Sequence, residues 1–204
     1  MVRIIAGSAK GRRLRSLPGL DVRPTLDRVK EALFNILGNR VIDAEFLDIF
    51  AGTGNIGIEA LSRGALHAVF VDSSDRQVRL IRENLKLTGL ESRARVYRND
   101  AIGACRMLGR QGLKFDIIFA DPPYGRGLSV AVMGQVDRSA ILAPGGIAVV
   151  EHSRRDTMPG EIGRLRLCRT ERYGDSCLSF YQWEDSPNAE GGKSGVNGGI
   201  PRQL

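Results

Sequence analysis

Leu47-Asp48-Ile49-Phe50-Ala51-Gly52-Thr53-Gly54-Asn55-Ile56-Gly57 decides the fold. The run closes an apolar strand, Ala44–Phe50, and carries Gly-x-Gly-x-x-Gly into a helix predicted over Gly57–Arg63. Glycines at those places permit a tight turn and let a ligand approach the backbone at a positively polarised helix N-terminus. Asp72 follows Gly52 by 20 residues, at the end of a second strand, where a carboxylate accepts hydrogen bonds from ribose hydroxyls. These features fit a nicotinamide dinucleotide as well as S-adenosylmethionine. Asp48, four residues before Gly52, favours the second, because a carboxylate suits a sulfonium or ammonium group better than a pyrophosphate.

Outward from this turn the chain alternates strand and helix. Ala68–Asp72, Ala94–Arg98, Phe115–Ala120 and Ile147–Glu151 read as further strands. Helices are expected over Ser74–Leu87, near Ala101–Leu108, and over about 127–139. Near-continuous apolar strands with intervening helices predict an α/β fold with a parallel sheet covered on both faces. Residues 164–172 and 177–183 are two β-like runs with only Tyr173-Gly174-Asp175 between the closest ends. So short a link makes no crossover, and at least one of that pair must run antiparallel to a neighbour. Ligands gather at the C-terminal strand ends of such sheets, which adds Ser73 after the second strand and Asn99, Asp100 and Ala101 after the third. Asp100 is placed to hold an adenine amino group.

Asp121-Pro122-Pro123-Tyr124, directly after Phe115–Ala120, carries the reaction chemistry. Two prolines fix the backbone and remove two amide donors, leaving carbonyls to accept. The Asp121 carboxylate and the Pro122 carbonyl then hold both hydrogens of an exocyclic amino group, and Tyr124 offers a face for stacking. An aryl amine is a poor nucleophile because its lone pair is delocalised into the ring. Two acceptors favour a pyramidal nitrogen whose lone pair points at a methyl carbon, so catalysis is orientation and electrostatics.

The glycine-rich turn together with Asp-Pro-Pro-Tyr resembles the S-adenosylmethionine-dependent amino-group methyltransferases. Arg3-Ile4-Ile5-Ala6-Gly7 with Lys10-Gly11-Arg12, then Arg23-Pro24-Thr25 with Glu31-Ala32-Leu33-Phe34, resemble the opening of the RsmD family. The likeness continues through Phe46–Gly57, Asp116–Gly125, Glu151-His152 and Tyr173-Gly174, so it spans roughly residues 2–183. It implies a Rossmann-like, seven-stranded class I methyltransferase sheet, mostly parallel with the last strand antiparallel, and an N-terminal β-hairpin extension. It also implies methylation of guanine N2 in small-subunit (16S) ribosomal RNA, and Thr25 at the cofactor's border. On this reading Asp48, Phe50, Ala51, Gly52, Thr53, Gly54, Asp72, Ser73, Asn99, Asp100, Ala101 and Asp121 hold S-adenosylmethionine. Asp121, Pro122, Pro123 and Tyr124 are catalytic.

The chain has 204 residues and a net charge of +7, and its first 30 residues hold eight basic side chains against two acidic ones. A basic arm on a nearly neutral body is the footprint of a nucleic-acid binder. Arg3, Lys10, Arg12, Arg13 and Arg15 are therefore expected to grip phosphates around a base turned outward from RNA, either ribosomal RNA or an assembling 30S subunit. Residues 1–22 read as that hairpin arm, 23–184 as the methyltransferase domain and the glycine-rich 185–204 as a disordered tail. Three cysteines without CxxC spacing exclude a disulfide scaffold, and Cys168 and Cys177 are candidate cross-strand neighbours. His67 and His152 lack metal-ligand spacing, and no metal is expected. The longest apolar run falls far below the roughly 18 residues of a membrane span, so a cytoplasmic location with no membrane partner is expected. Three other readings stay open: a DNA adenine-N6 or cytosine-N4 methyltransferase, an NAD-dependent oxidoreductase, and a non-catalytic ribosome-assembly RNA binder.

Overall fold

Side chains that alternate between two apolar faces build the sheet, and the computed structural model shows which helices cover each face. It describes residues 2–17, 24–125 and 127–183, without the side chains of 24–27. Among these residues eight strands form one sheet. They are β1 (Glu45–Ile49), β2 (His67–Asp72), β3 (Ala94–Arg98), β4 (Phe115–Ala120), β5 (Leu142–Ser153), β6 (Glu161–Ile162), β7 (Leu165–Tyr173) and β8 (Ser176–Trp183). The order is β3-β2-β1-β4-β5-β8-β7-β6. Strands β1 to β5 pair in parallel, and β8 lies antiparallel between β5 and β7.

Phe46, Phe70, Ile117, Phe119 and Val149 face α1 (Pro24–Leu37), α2 (Asn55–Ser62) and α3 (Asp75–Thr88). Leu47, Ile49, Val69, Ile118 and Val150 face α4 (Ala101–Arg110) and α5 (Leu128–Arg138). The seven expected strands are present with the reversed one in place, and the two-residue β6 adds an edge too short to leave a sequence signal.

Three local expectations change. The sequence around Thr25 reads as a helix start with Thr25 as its N-cap, but α1 starts at Pro24 and Thr25 is inside it; proline suits the first turn because its missing N–H has no intrahelical partner there. Pro144-Gly145-Gly146 lies within β5, where a register shift against β4 between Phe115 and Ile117 absorbs the irregular residues. Cys168 falls in a second register shift while Cys177 pairs with Arg172, so the two are not cross-strand neighbours, and all three cysteines are free thiols.

Residues 2–15 form a minimal hairpin with one bridge, Arg3 to Arg13, flanked by Ile4 N–H to Arg12 O and Leu14 N–H to Val2 O, both at 2.9 Å. It packs onto the body through buried Val2, Ile4, Ala9 and Leu14. The fully buried Glu59 of α2 accepts the Ile5 and Ala6 amides at 2.8 and 3.0 Å and the Arg63 guanidinium at 2.8 Å. Lys30, also fully buried, lies 3.3 Å from Glu59 and donates to Arg3 O at 2.6 Å and to Asn55 Oδ1 at 2.7 Å. Gly7 has φ of +81°, and a Cβ there would sit 1.8 Å from Ser62 O, so no side chain fits. Asn84 accepts the Arg15 amide at 2.8 Å and donates to Arg15 O at 3.1 Å and Thr53 O at 2.9 Å.

The boundary expected at residue 22 and the tail 185–204 lie outside the described residues. Among the described residues no helix is long and apolar enough to cross a membrane. Glu59→Ala takes a carboxylate away from the buried Lys30 ammonium and leaves two hairpin amides without their acceptor. Such a loss costs about 3–5 kcal/mol, read as a lower urea midpoint, with faster tryptic cleavage between Lys10 and Arg15 as the hairpin detaches.

Candidate active site

Strand β1 delivers the glycine-rich turn to the C-terminal edge of the sheet, and two carboxylates hold it there. Asp48 Oδ2 accepts the Gly57 amide at 2.9 Å. Asp72 Oδ2 accepts the Gly52 amide at 2.9 Å, and its Oδ1 accepts the Ser74 amide at 2.8 Å. Gly52 and Gly54 have φ of +55° and +76°, and Phe50 between strand and turn has φ of +63°, a conformation costly for an aromatic residue. At Gly57 the constraint is steric, since a Cβ would lie 2.3 Å from the Phe70 ring.

The turn walls a cavity of about 290 Å³ bounded by Asp48, Phe50, Ala51, Gly52 and Thr53, with Lys30, Asn55 and Gln77. A second cavity of about 710 Å³ is bounded by Asp72, Ser73, Asp121, Pro122, Pro123 and Tyr124, and by Gly174, Asp175 and Ser176 from the β7–β8 turn. Val29, Phe50, Gln77, Asp121 and Glu151 line both, so the two are continuous across these residues.

Two carboxyl groups on that shared wall, Asp121 and Glu151, and Asp48 beside them sit in a poorly solvated place. Burial pushes Asp48 up to about 7, against the lowering effect of the Gly57 amide and with Asp72 adding to the rise. Burial, then the neighbouring Glu151 and Asp48 charges, hold Asp121 well above the usual carboxylate range. Glu151 is raised by burial, partly offset by hydrogen bonds from Tyr124 and Ser176. The Tyr124 hydroxyl donates to Glu151 Oε1 at 2.9 Å and lies 2.9 Å from Ser176 Oγ, which fixes a ring that is 45% exposed. Lys30 directs its ammonium at Arg3 O, Asn55 and Glu59. A cationic ligand meets three desolvated carboxylates here, and its N–H or O–H groups meet Gln77 Oε1, a buried acceptor with no partner among the described residues. The donor set fits a sulfonium nucleoside such as S-adenosylmethionine.

The structure brings together Asp48, Phe50, Ala51, Gly52, Thr53, Asp72, Ser73 and Asp121 to Tyr124. Gly54 serves as the N-cap of α2. Asn99, Asp100 and Ala101 line neither cavity; Asp100 caps α4, accepting the Gly103 amide at 2.8 Å. Thr25 lies in the first turn of α1 with its side chain outside the described residues, one turn before Val29. Of the basic residues, Arg12 donates to Leu87 O and Arg15 pairs with Glu83, both on α3. The side chains of Arg3, Lys10 and Arg13 are exposed and unpaired among the described residues.

Residues not singled out for the site from sequence are Lys30, Asn55, Gln77, Glu151 and Ser176. Glu151 had a readable signal, a carboxylate near the end of a buried strand like Asp121. Gln77 had a misleading one, since Ser74-x-x-Gln77 has the form of a capping box. Asp72 takes the Ser74 amide instead, which releases the Gln77 side chain to the cavity. Among the described residues no group of three His, Cys, Asp or Glu is arranged to hold a metal ion.

A family profile described as Conserved hypothetical protein 95 matches residues 2–182. YlbH of Bacillus subtilis, provisionally named an rRNA methyltransferase, is 40% identical over 181 residues, covering 89% of this chain and 98% of that one. Ribosomal RNA small subunit methyltransferase D of Escherichia coli is 34% identical over 183 residues, covering 90% of each. The solved structure of yhhF from Escherichia coli, provisionally described as a methyltransferase, superposes with a TM-score of 0.80 at 34% identity, covering 90% of this chain and 98% of that one.

The Asp48 carboxyl binds its proton more tightly folded than unfolded, from 3.8 up to about 7. Its contribution to stability therefore falls as pH rises through that window. Asp48→Asn removes the fall and leaves the ligand-free protein more stable than the parent above pH 7, by on the order of 2 kcal/mol in urea titrations at pH 5 and pH 8.

Proposed function

Because the chain belongs to the RsmD family of methyltransferases, we propose that it transfers a methyl group from S-adenosylmethionine to the exocyclic N2 of a guanine in small-subunit ribosomal RNA. The observation that carries this reading is the position of Asp121, on the wall common to both cavities, where cofactor and base would meet. Both similar proteins named above bear rRNA methyltransferase names, which supports the RNA substrate.

When bound, the cofactor supplies an electrophilic methyl carbon on a sulfonium. Asp48 and the turn Phe50–Gly54 hold it, with Asp72 and Ser73 at the ribose end and Asn99, Asp100 and Ala101 beyond. Asp121 and the Pro122 carbonyl accept the two amine hydrogens and aim the nitrogen lone pair at that carbon. Asp121 would take the proton shed by nitrogen as the N–C bond forms, the sulfonium keeping the electron pair of the C–S bond it gives up. A carboxylate already raised by burial and by Glu151 accepts that proton readily. Tyr124, held by Glu151 and Ser176, stacks against the base. Arg3, Lys10 and Arg13 grip phosphates, with Arg12 and Arg15 bracing the hairpin on α3.

Asp121→Asn is expected to slow radiolabelled methyl transfer to unmodified small-subunit particles by roughly 100-fold or more, a far larger loss than its loss of cofactor affinity. Mass mapping should find the label as N2-methylguanosine; label on adenosine or cytidine, or no transfer by the unmutated enzyme, overturns the reading. Changing Lys10 and Arg13 to Ala should flatten the salt dependence of RNA binding by about one unit of log–log slope each and leave cofactor affinity unchanged.

A further inference from the structure

We infer that Glu151 is the specificity-determining residue that selects guanine, by accepting the ring N1–H while Asp121 and Pro122 hold the N2 amino group. The inference rests on the methyl-transfer reading above. Strands β4 and β5 pair with Ala120 opposite Val150, so Asp121 and Glu151 follow as lateral neighbours on adjacent parallel strands. Both line both cavities. Two acidic acceptors side by side match what guanine alone among the amino-bearing bases presents. Its Watson–Crick edge has the N2 amino donor directly next to the N1–H donor. Adenine and cytosine place a ring-nitrogen acceptor beside the amino group, and that lone pair would face the Glu151 carboxylate.

Glu151 has capacity for this second task. A carboxylate accepts about four hydrogen bonds, and Tyr124 and Ser176 supply two of them, which leaves room for a ring N–H. The residue is 5% exposed, so an acceptor left without a donor by the wrong base stays unsolvated and costly. Tyr124 and Glu151 thus act on the same base: one stacks on its face while the other reads its edge, and their mutual hydrogen bond fixes the angle between the two.

2-Aminopurine separates edge reading from ring positioning, because it carries the same amino group beside an N1 that lacks a proton. The full-length protein is assayed on small-subunit particles reconstituted with rRNA ligated so that the mapped target position holds guanine or 2-aminopurine. The parent enzyme is expected to methylate guanine about 100-fold or more faster than 2-aminopurine. Glu151→Gln, whose amide can donate to the unprotonated N1, is expected to slow guanine transfer and narrow the ratio to within about 10-fold. Ser176→Ala removes one hydrogen bond from Tyr124 and one from Glu151 but keeps the carboxylate, and is expected to slow transfer to both bases while preserving the preference for guanine. The inference is overturned if the parent enzyme methylates both bases at similar rates, or if Glu151→Gln slows both by the same factor. Absence of N2-methylguanosine from unmodified particles treated with the parent enzyme is a different result, and it removes the underlying reading itself.

Discussion

Three carboxylates, Asp48, Asp121 and Glu151, are held where water solvates them poorly and where Asp121 feels both of the others. The rest of the architecture answers to that crowding. Each acid is anchored by a bond it accepts or by its strand: the Gly57 amide for Asp48, the Tyr124 hydroxyl for Glu151, and the end of β4 for Asp121. Like charges brought together in a low dielectric raise one another and leave a standing demand for positive charge. A cavity built this way binds a cationic ligand by relieving its own repulsion.

The hairpin at the N-terminus is wired into the same site. Glu59 and Lys30 form a buried pair that also bonds hairpin backbone: two amides on one side, the Arg3 carbonyl on the other. Lys30 also holds Asn55 at the start of α2, and Asn84 clamps Arg15 together with the Thr53 carbonyl of the glycine-rich turn. The basic residues that face outward are thereby mounted on the residues that shape the cavity at the glycine-rich turn. A buried ion pair of this kind fixes position more than it adds stability.

Much was legible in the chain because the relevant signals are local. The period-2 alternation of Phe46 and Leu47, or Ile117 and Ile118, separates the two faces of the sheet before any helix is placed. The glycine-rich turn and Asp-Pro-Pro-Tyr each lie within a few residues, so backbone geometry and chemistry coincide. What escaped the reading depends on partners far apart in sequence. Asp100 was expected at the adenine and also caps α4 through Oδ1, a second use of the carboxylate that only the helix start reveals. Gln77 has the spacing of a cap and faces the cavity, because Asp72 from the preceding strand took the amide it would have bonded.

The amino-acid sequence by itself determined the alternating α/β order, the reversed closing strand and the two motifs that bear the chemistry, since each follows from side-chain periodicity or from what glycine and proline permit. Tertiary structure alone decided that Glu151 stands beside Asp121, that Ser176 steadies Tyr124, and that Lys30 lies against Glu59. Those neighbours are separated by 29 to 52 residues. The register of one strand against the next, set by the packing of both sheet faces together, is what brings them into reach.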